Sequence, residues 1–158
     1  MSGPERWTAV LDEVCAEVAA AALGSDEVAE RLIVVTKRRA SIPHAAGLDV
    51  YESGGTLAFV NSSGAPFVEQ ADHLIRRLAP LEPEAVLLAG SALTGRPGGQ
   101  FRRVLAVQLF SRVDALRMAR IAQVEPSQGA VETILPWKDV KPGPPVWAER
   151  ILLEGGRR

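Results

Sequence analysis

The sequence predicts an α+β fold: a mainly antiparallel sheet of five to seven strands, with an N-terminal helix, one crossover helix on the sheet and a short C-terminal helix. Three observations carry this expectation. Two segments repeat apolar residues at helical spacing, several runs alternate with period two, and glycine- or proline-marked turns separate them. Residues 1–31 read as a helical arm and 32–158 as a single α+β unit.

The first helix is expected over Glu5–Leu23. Trp7, Val10, Leu11, Val14, Val18 and Ala21 form its apolar stripe, and Gly24 is a natural stop. Such a stripe is buried either on its own domain or on a second copy. Ser25 can cap a short turn after it. Leu32–Thr36 is a β-branched strand. LDVYESGGTLAFV reads as a hairpin, because Gly54 and Gly55 tolerate the positive φ of a tight turn. The second helix is expected over Pro66–Leu78, with Phe67, Ala71, Leu74, Ile75 and Leu78 on its buried face. Its carboxylates sit early and its arginines late, as the helix dipole favours, and Pro80 and Pro83 stop it. This crossover can set Thr56–Val60 parallel to Ala85–Ala89. RRVLAVQLF and LRMARIAQV then read as an antiparallel meander, and VETIL as a short last strand. The proline-rich PWKDVKPGPPV is expected to be irregular. A closing helical turn carries Val146, Trp147, Ile151 and Leu152.

Composition excludes several functional classes. A net charge of −1 gives no general attraction to nucleic acid or anionic membrane. Nothing approaches the roughly 18 consecutive apolar residues of a membrane span. Cys15 is the only cysteine, so no internal disulfide forms and a reducing compartment is the simplest home. Acidic residues interrupt the N-terminal apolar run, unlike a secretory signal. A cytoplasmic protein is expected.

The stretch EAVLLAGSALTGRPGGQF invites comparison with a phosphate-binding loop. Gly90 and Gly95 have the right spacing, but Arg96 stands where lysine belongs and Pro97 where the magnesium-binding hydroxyl belongs. Gly98 and Gly99 discourage the helix whose amides would grip phosphate. A wide turn between two strands is the better reading. A weaker possibility survives: Ser91, Thr94, Arg96, Gln100, Arg102 and Arg103, with His44 from the SIPHAAG loop, gather donors that suit a small anion.

No catalytic set converges. Ser41 and His44 share a loop with no fixed orienting carboxylate. Glu69, Asp72 and His73 have metal-ligand spacing, yet they lie opposite the buried face of the second helix and read as surface pairing. Cys15 reads as a small buried hydrophobe. No metal and no cofactor is called for. The favoured function is a non-catalytic domain acting through protein contacts, as a homo-oligomer or with another protein, through Trp7, Leu11, Val14 and Trp147. The alternative is a small anionic ligand held by the Gly90–Gly99 loop. Nucleic-acid binding through Lys37–Arg39 and Arg102–Arg103 is disfavoured by the charge, and no membrane partner is expected.

Overall fold

The structure, a computed structural model, describes residues 3–36, 48–53, 56–61, 65–95, 98–112, 115–143 and 147–155. In chain order its elements are helix α1 (Gly3–Ala22), strands β1 (Arg31–Val35), β2 (Leu48–Ser53) and β3 (Thr56–Asn61), helix α2 (Ala71–Leu78), strands β4 (Ala85–Thr94), β5 (Arg102–Ser111), β6 (Arg117–Glu125), β7 (Thr133–Ile134) and β8 (Lys138–Val140), and helix α3 (Glu149–Gly155). The strands hydrogen-bond in the order β2-β3-β1-β4-β5-β6-β7, and β8 also pairs with β6. The class is α+β, with a helix on an antiparallel sheet and helices near both ends, as the sequence predicts. The chain divides into two compact units: Met1–Ala29, Ala89–Gln108 and Met118–Pro142 form one; Glu30–Leu88, Leu109–Arg117 and Gly143–Arg158 form the other.

In the first unit, α1 buries Trp7, Leu11, Val14, Cys15, Val18 and Ala22. The stripe is rotated slightly from the expected one. Val10 is half-buried and Ala21 exposed, while Cys15 and Ala22 face inward. From Val18 the inward position one turn later is Ala22, because 3.6 residues make a turn. Val104, Leu105, Val107, Ala119, Ala122 and Val124 supply buried strand residues of the same unit. Gly24 ends the helix with φ +78, which glycine adopts without a Cβ clash. Its N–H donates to Val131 O at 2.8 Å, and Val131 N–H donates to Ser25 O at 3.0 Å. The Ser25 side chain makes a local turn with Glu27, and no helix follows over residues 26–30.

The second unit is built around α2. Phe67, Leu74, Ile75 and Leu78 are buried with Leu32 and Val34 of β1, Leu57 and Phe59 of β3, Val86 of β4 and Phe110 of β5. Ala148, Ile151 and Leu152 at α3 join the same core. Its helical segment opens as a 3-10 turn over Phe67–Gln70. The Glu30 carboxylate caps that opening: Oε1 accepts from Phe67 N–H at 3.0 Å and from Asn61 Nδ2 at 3.3 Å. A carboxylate there satisfies an otherwise orphaned donor. Pro80 ends the α-helical geometry but does not end the turn. A 3-10 turn continues over Ala79–Leu81, since proline's fixed φ suits the first positions of a helical turn.

Two features differ from the sequence reading in a way only long-range pairing decides. First, β1 lies between β3 and β4, so the strands joined by the α2 crossover are not neighbours. β1 runs antiparallel to β3, with Leu32 opposite Phe59. Its far end meets the start of β4, where Glu84 N–H donates to Val35 O at 2.8 Å. Second, the segment after VETIL is not wholly irregular. Val124 pairs with Ile134, and Ile121 pairs with Lys138. Three steps along β6 therefore match four along its partner. Pro136 cannot donate to a ladder, so the partner strand bulges there and pairing resumes as β8.

Candidate functional site

In the β4–β5 hairpin, exposure runs far along regular structure. Both strands are ten residues long. Ala85–Leu87 and Ala89 are buried, but Ser91, Ala92, Leu93 and Thr94 are exposed in succession, as are Phe101 and Arg102. Successive strand residues point to opposite faces, so an unbroken exposed run means that neither face of the tip is covered. Leu93 is 71% exposed and Phe101 58%. Two large apolar side chains thus stand in solvent on one uncovered ribbon.

Gly95 lies close against residues 100 and 101. A Cβ on Gly95 would meet Gln100 O at 2.8 Å and the Phe101 ring at 2.9 Å, so the backbone and the ring already occupy that space. Gly98 adopts φ +83. Regular structure resumes as the extended β5 at Arg102, so among the described residues no helix begins after the loop, as a phosphate loop requires.

The donors singled out in the sequence are distributed as follows. Ser91, Thr94, Gln100 and Arg102 are exposed at the tip. Arg96 and His44 lie outside the described residues, as do Lys37–Arg39 and Ser41. Arg103 is committed elsewhere. Its Nη1 donates to Asp26 O at 2.6 Å, and its Nη2 donates to Gly129 O at 2.8 Å and Pro126 O at 3.5 Å. Its backbone N–H donates to Ser127 Oγ at 3.2 Å. The guanidinium therefore ties the segment after α1 to the turn between β6 and β7. Arg102 and Arg103 are neighbours in sequence but face opposite ways: Arg102 is exposed, while Arg103 is half-buried with its guanidinium bonded to carbonyls. Arg103→Met is expected to cost about 1–2 kcal/mol, since charge-assisted bonds to the carbonyls are lost while the aliphatic stem is kept. Arg102→Met should stay within about 0.5 kcal/mol. Urea unfolding of the two variants side by side checks this contrast.

Trp7, Leu11 and Val14, expected as contact residues, are buried within the chain. Arg6 stacks over the Trp7 ring at 4.5 Å, closing its rim. Trp147 is half-buried, with its ring 6.3 Å from that of Phe67. Trp137 is half-buried too. The exposed apolar pair Leu93 and Phe101 was not singled out in the sequence. SALTG and GGQF carry no pattern that distinguishes an uncovered strand end from a covered one.

A second polar cluster belongs to the same unit. Arg120 on β6 donates from Nε to Asp139 at 2.8 Å and from Nη1 to Asp12 on α1. The Asp12 hydrogen bond raises its pKa, so the charge is permanent. Burial pushes the Cys15 thiol pKa up, and the nearby Arg120 offsets part of that rise. A protonated, buried thiol has little nucleophilic character. The cluster therefore serves to fasten α1 to β6 and β8. Among the described residues no three His, Cys, Asp or Glu side chains are placed to hold a metal ion. Glu69 in the 3-10 turn and His73 and Arg77 on α2 are all exposed. Among the described residues no helix is long and apolar enough to cross a membrane. No family model matches this chain, and neither does any curated protein or solved structure.

Proposed function

We propose that this domain acts without catalysis, through protein–protein contact made by the tip of the β4–β5 hairpin. The observation that supports the reading is the paired exposure of Leu93 and Phe101 on a ribbon uncovered on both faces. Exposed aromatic and apolar side chains flanked by arginine have the composition of interface centres. The close approach of Gly95 to the Phe101 ring supports a fixed presentation of that side chain. This contact element replaces the terminal-helix stripe favoured from sequence, whose main residues lie inside the chain.

Site-specific photo-crosslinking tests it. A benzophenone amino acid at position 93 or 101 is expected to give discrete protein adducts, in the source cells or with the purified protein. The same group at Val68, an exposed apolar position on another element, is the control. Adducts that vanish when the unmodified tip position is also changed to aspartate support the reading. Absence of adducts from both tip positions, or equal labelling from position 68, overturns it.

A further inference from the structure

We infer that the partner of the hairpin tip is a second copy of this chain, and that the receiving surface is the solvent face of α1. The inference rests on the hairpin-contact reading above and adds the occupant. Charge complementarity carries it. No acidic residue occurs between Ala85 and Val113, so Arg102, exposed at the tip, has no opposing charge on its own hairpin, although the whole chain has a net charge of −1. The outer face of α1 has the opposite character. Glu13 and Glu17 are exposed there, with Ala16 and Ala20 between and beyond them. Leu23, 53% exposed, closes the same row.

Residues 13, 16, 20 and 23 recur at steps of three and four, so they line one side of the helix. The small alanines leave a shallow apolar strip in which Leu93 and Phe101 can lie against backbone. The flanking carboxylates offer Arg102 partners of opposite charge. Each copy carries one tip and one acidic strip. Two copies can therefore exchange tips reciprocally, the isologous arrangement that closes on itself. Two features argue for a protein strip over nucleic acid. The tip exposes two large apolar side chains, Leu93 and Phe101, beside one exposed arginine among the described residues, Arg102. Of its arginines, Arg103 is already spent on backbone carbonyls.

The test is a charge-swap experiment read by sedimentation at high micromolar concentration. The wild-type protein is expected to be a dimer. Arg102→Glu alone, and Glu13→Arg with Glu17→Arg, are each expected to weaken dimerisation roughly tenfold or more, because like charges then face each other. Mixing the two charge-reversed proteins restores a heterodimer, since both of its contacts regain opposite signs. All three positions are exposed, and circular dichroism verifies that folding is unaffected. A wild-type monomer, a dimer indifferent to the reversals, or a mixture that fails to reassociate each overturns the inference. So does salt-dependent retention of single-stranded DNA that Arg102→Glu abolishes in a monomeric protein. A monomer that still crosslinks through position 93 to another protein would overturn the second-copy assignment alone and leave the hairpin-contact reading standing.

Discussion

Trp7→Ala is expected to lower the unfolding free energy by about 3–5 kcal/mol, the usual cost of emptying a large buried aromatic site. Trp7 is 1% exposed and begins the inward row that continues through Leu11, Val14 and Val18. Removing the indole leaves a cavity that the helix cannot close by moving alone. Its far end is tied to Val131 and its middle to Arg120 through Asp12. Urea unfolding followed by far-UV circular dichroism measures the loss. Because the ring is covered by its own chain, the loss should not depend on protein concentration. A cost below about 1 kcal/mol, or one that appears only on dilution, would mean that α1 packs on something other than its own chain.

Phe67→Ala should be of similar size, about 3–5 kcal/mol, for a different reason. Phe67 is fully buried, and it anchors the 3-10 turn that leads into α2. Its ring lies among Leu74, Ile75, Ile151 and their neighbours, while its backbone N–H is held by Glu30. Truncation removes the packing but keeps the cap. Phe67→Leu, which refills most of the volume, should recover a large part of the loss. Trp147 provides a local reading, since its ring is 6.3 Å from Phe67. With 5-fluorotryptophan incorporated, its 19F resonance, resolved from those of Trp7 and Trp137, should shift in the alanine variant before any global unfolding. An unchanged Trp147 signal together with unchanged stability would contradict the packing described.

Much of the fold was legible because it depends on local periodicity. Phe67, Leu74, Ile75 and Leu78 recur at helical spacing, and all four are buried. The pair Gly54–Gly55 marks a hairpin whose register indeed brings Ser53 opposite Thr56. The position of β1 between β3 and β4 was not legible, because LIVVT has no local feature that names its partners. The resumption of pairing after Pro136 was hidden for a related reason. Proline signals an interruption, but only the β6 edge decides whether pairing restarts. At the candidate site, Arg102 and Arg103 look alike in sequence. Their roles separate only because carbonyls from distant turns converge on one of them. Leu93 and Phe101 were passed over because exposure depends on what the rest of the chain leaves uncovered.

The placement of β1 has a consequence for how the chain reaches its native state. The β2–β3 hairpin and its link to β1 form from segments close in sequence, so they can assemble early. The bond from Glu84 to Val35 must instead wait for a long excursion through that hairpin and α2. Closing such a loop costs chain entropy that grows only logarithmically with length, yet it comes before the reward of the new contacts. The docking of β4 on β1 is therefore the natural bottleneck of assembly. Substitutions at Val86 should slow refolding, whereas equal losses placed at buried α1 positions such as Val18 should chiefly quicken unfolding.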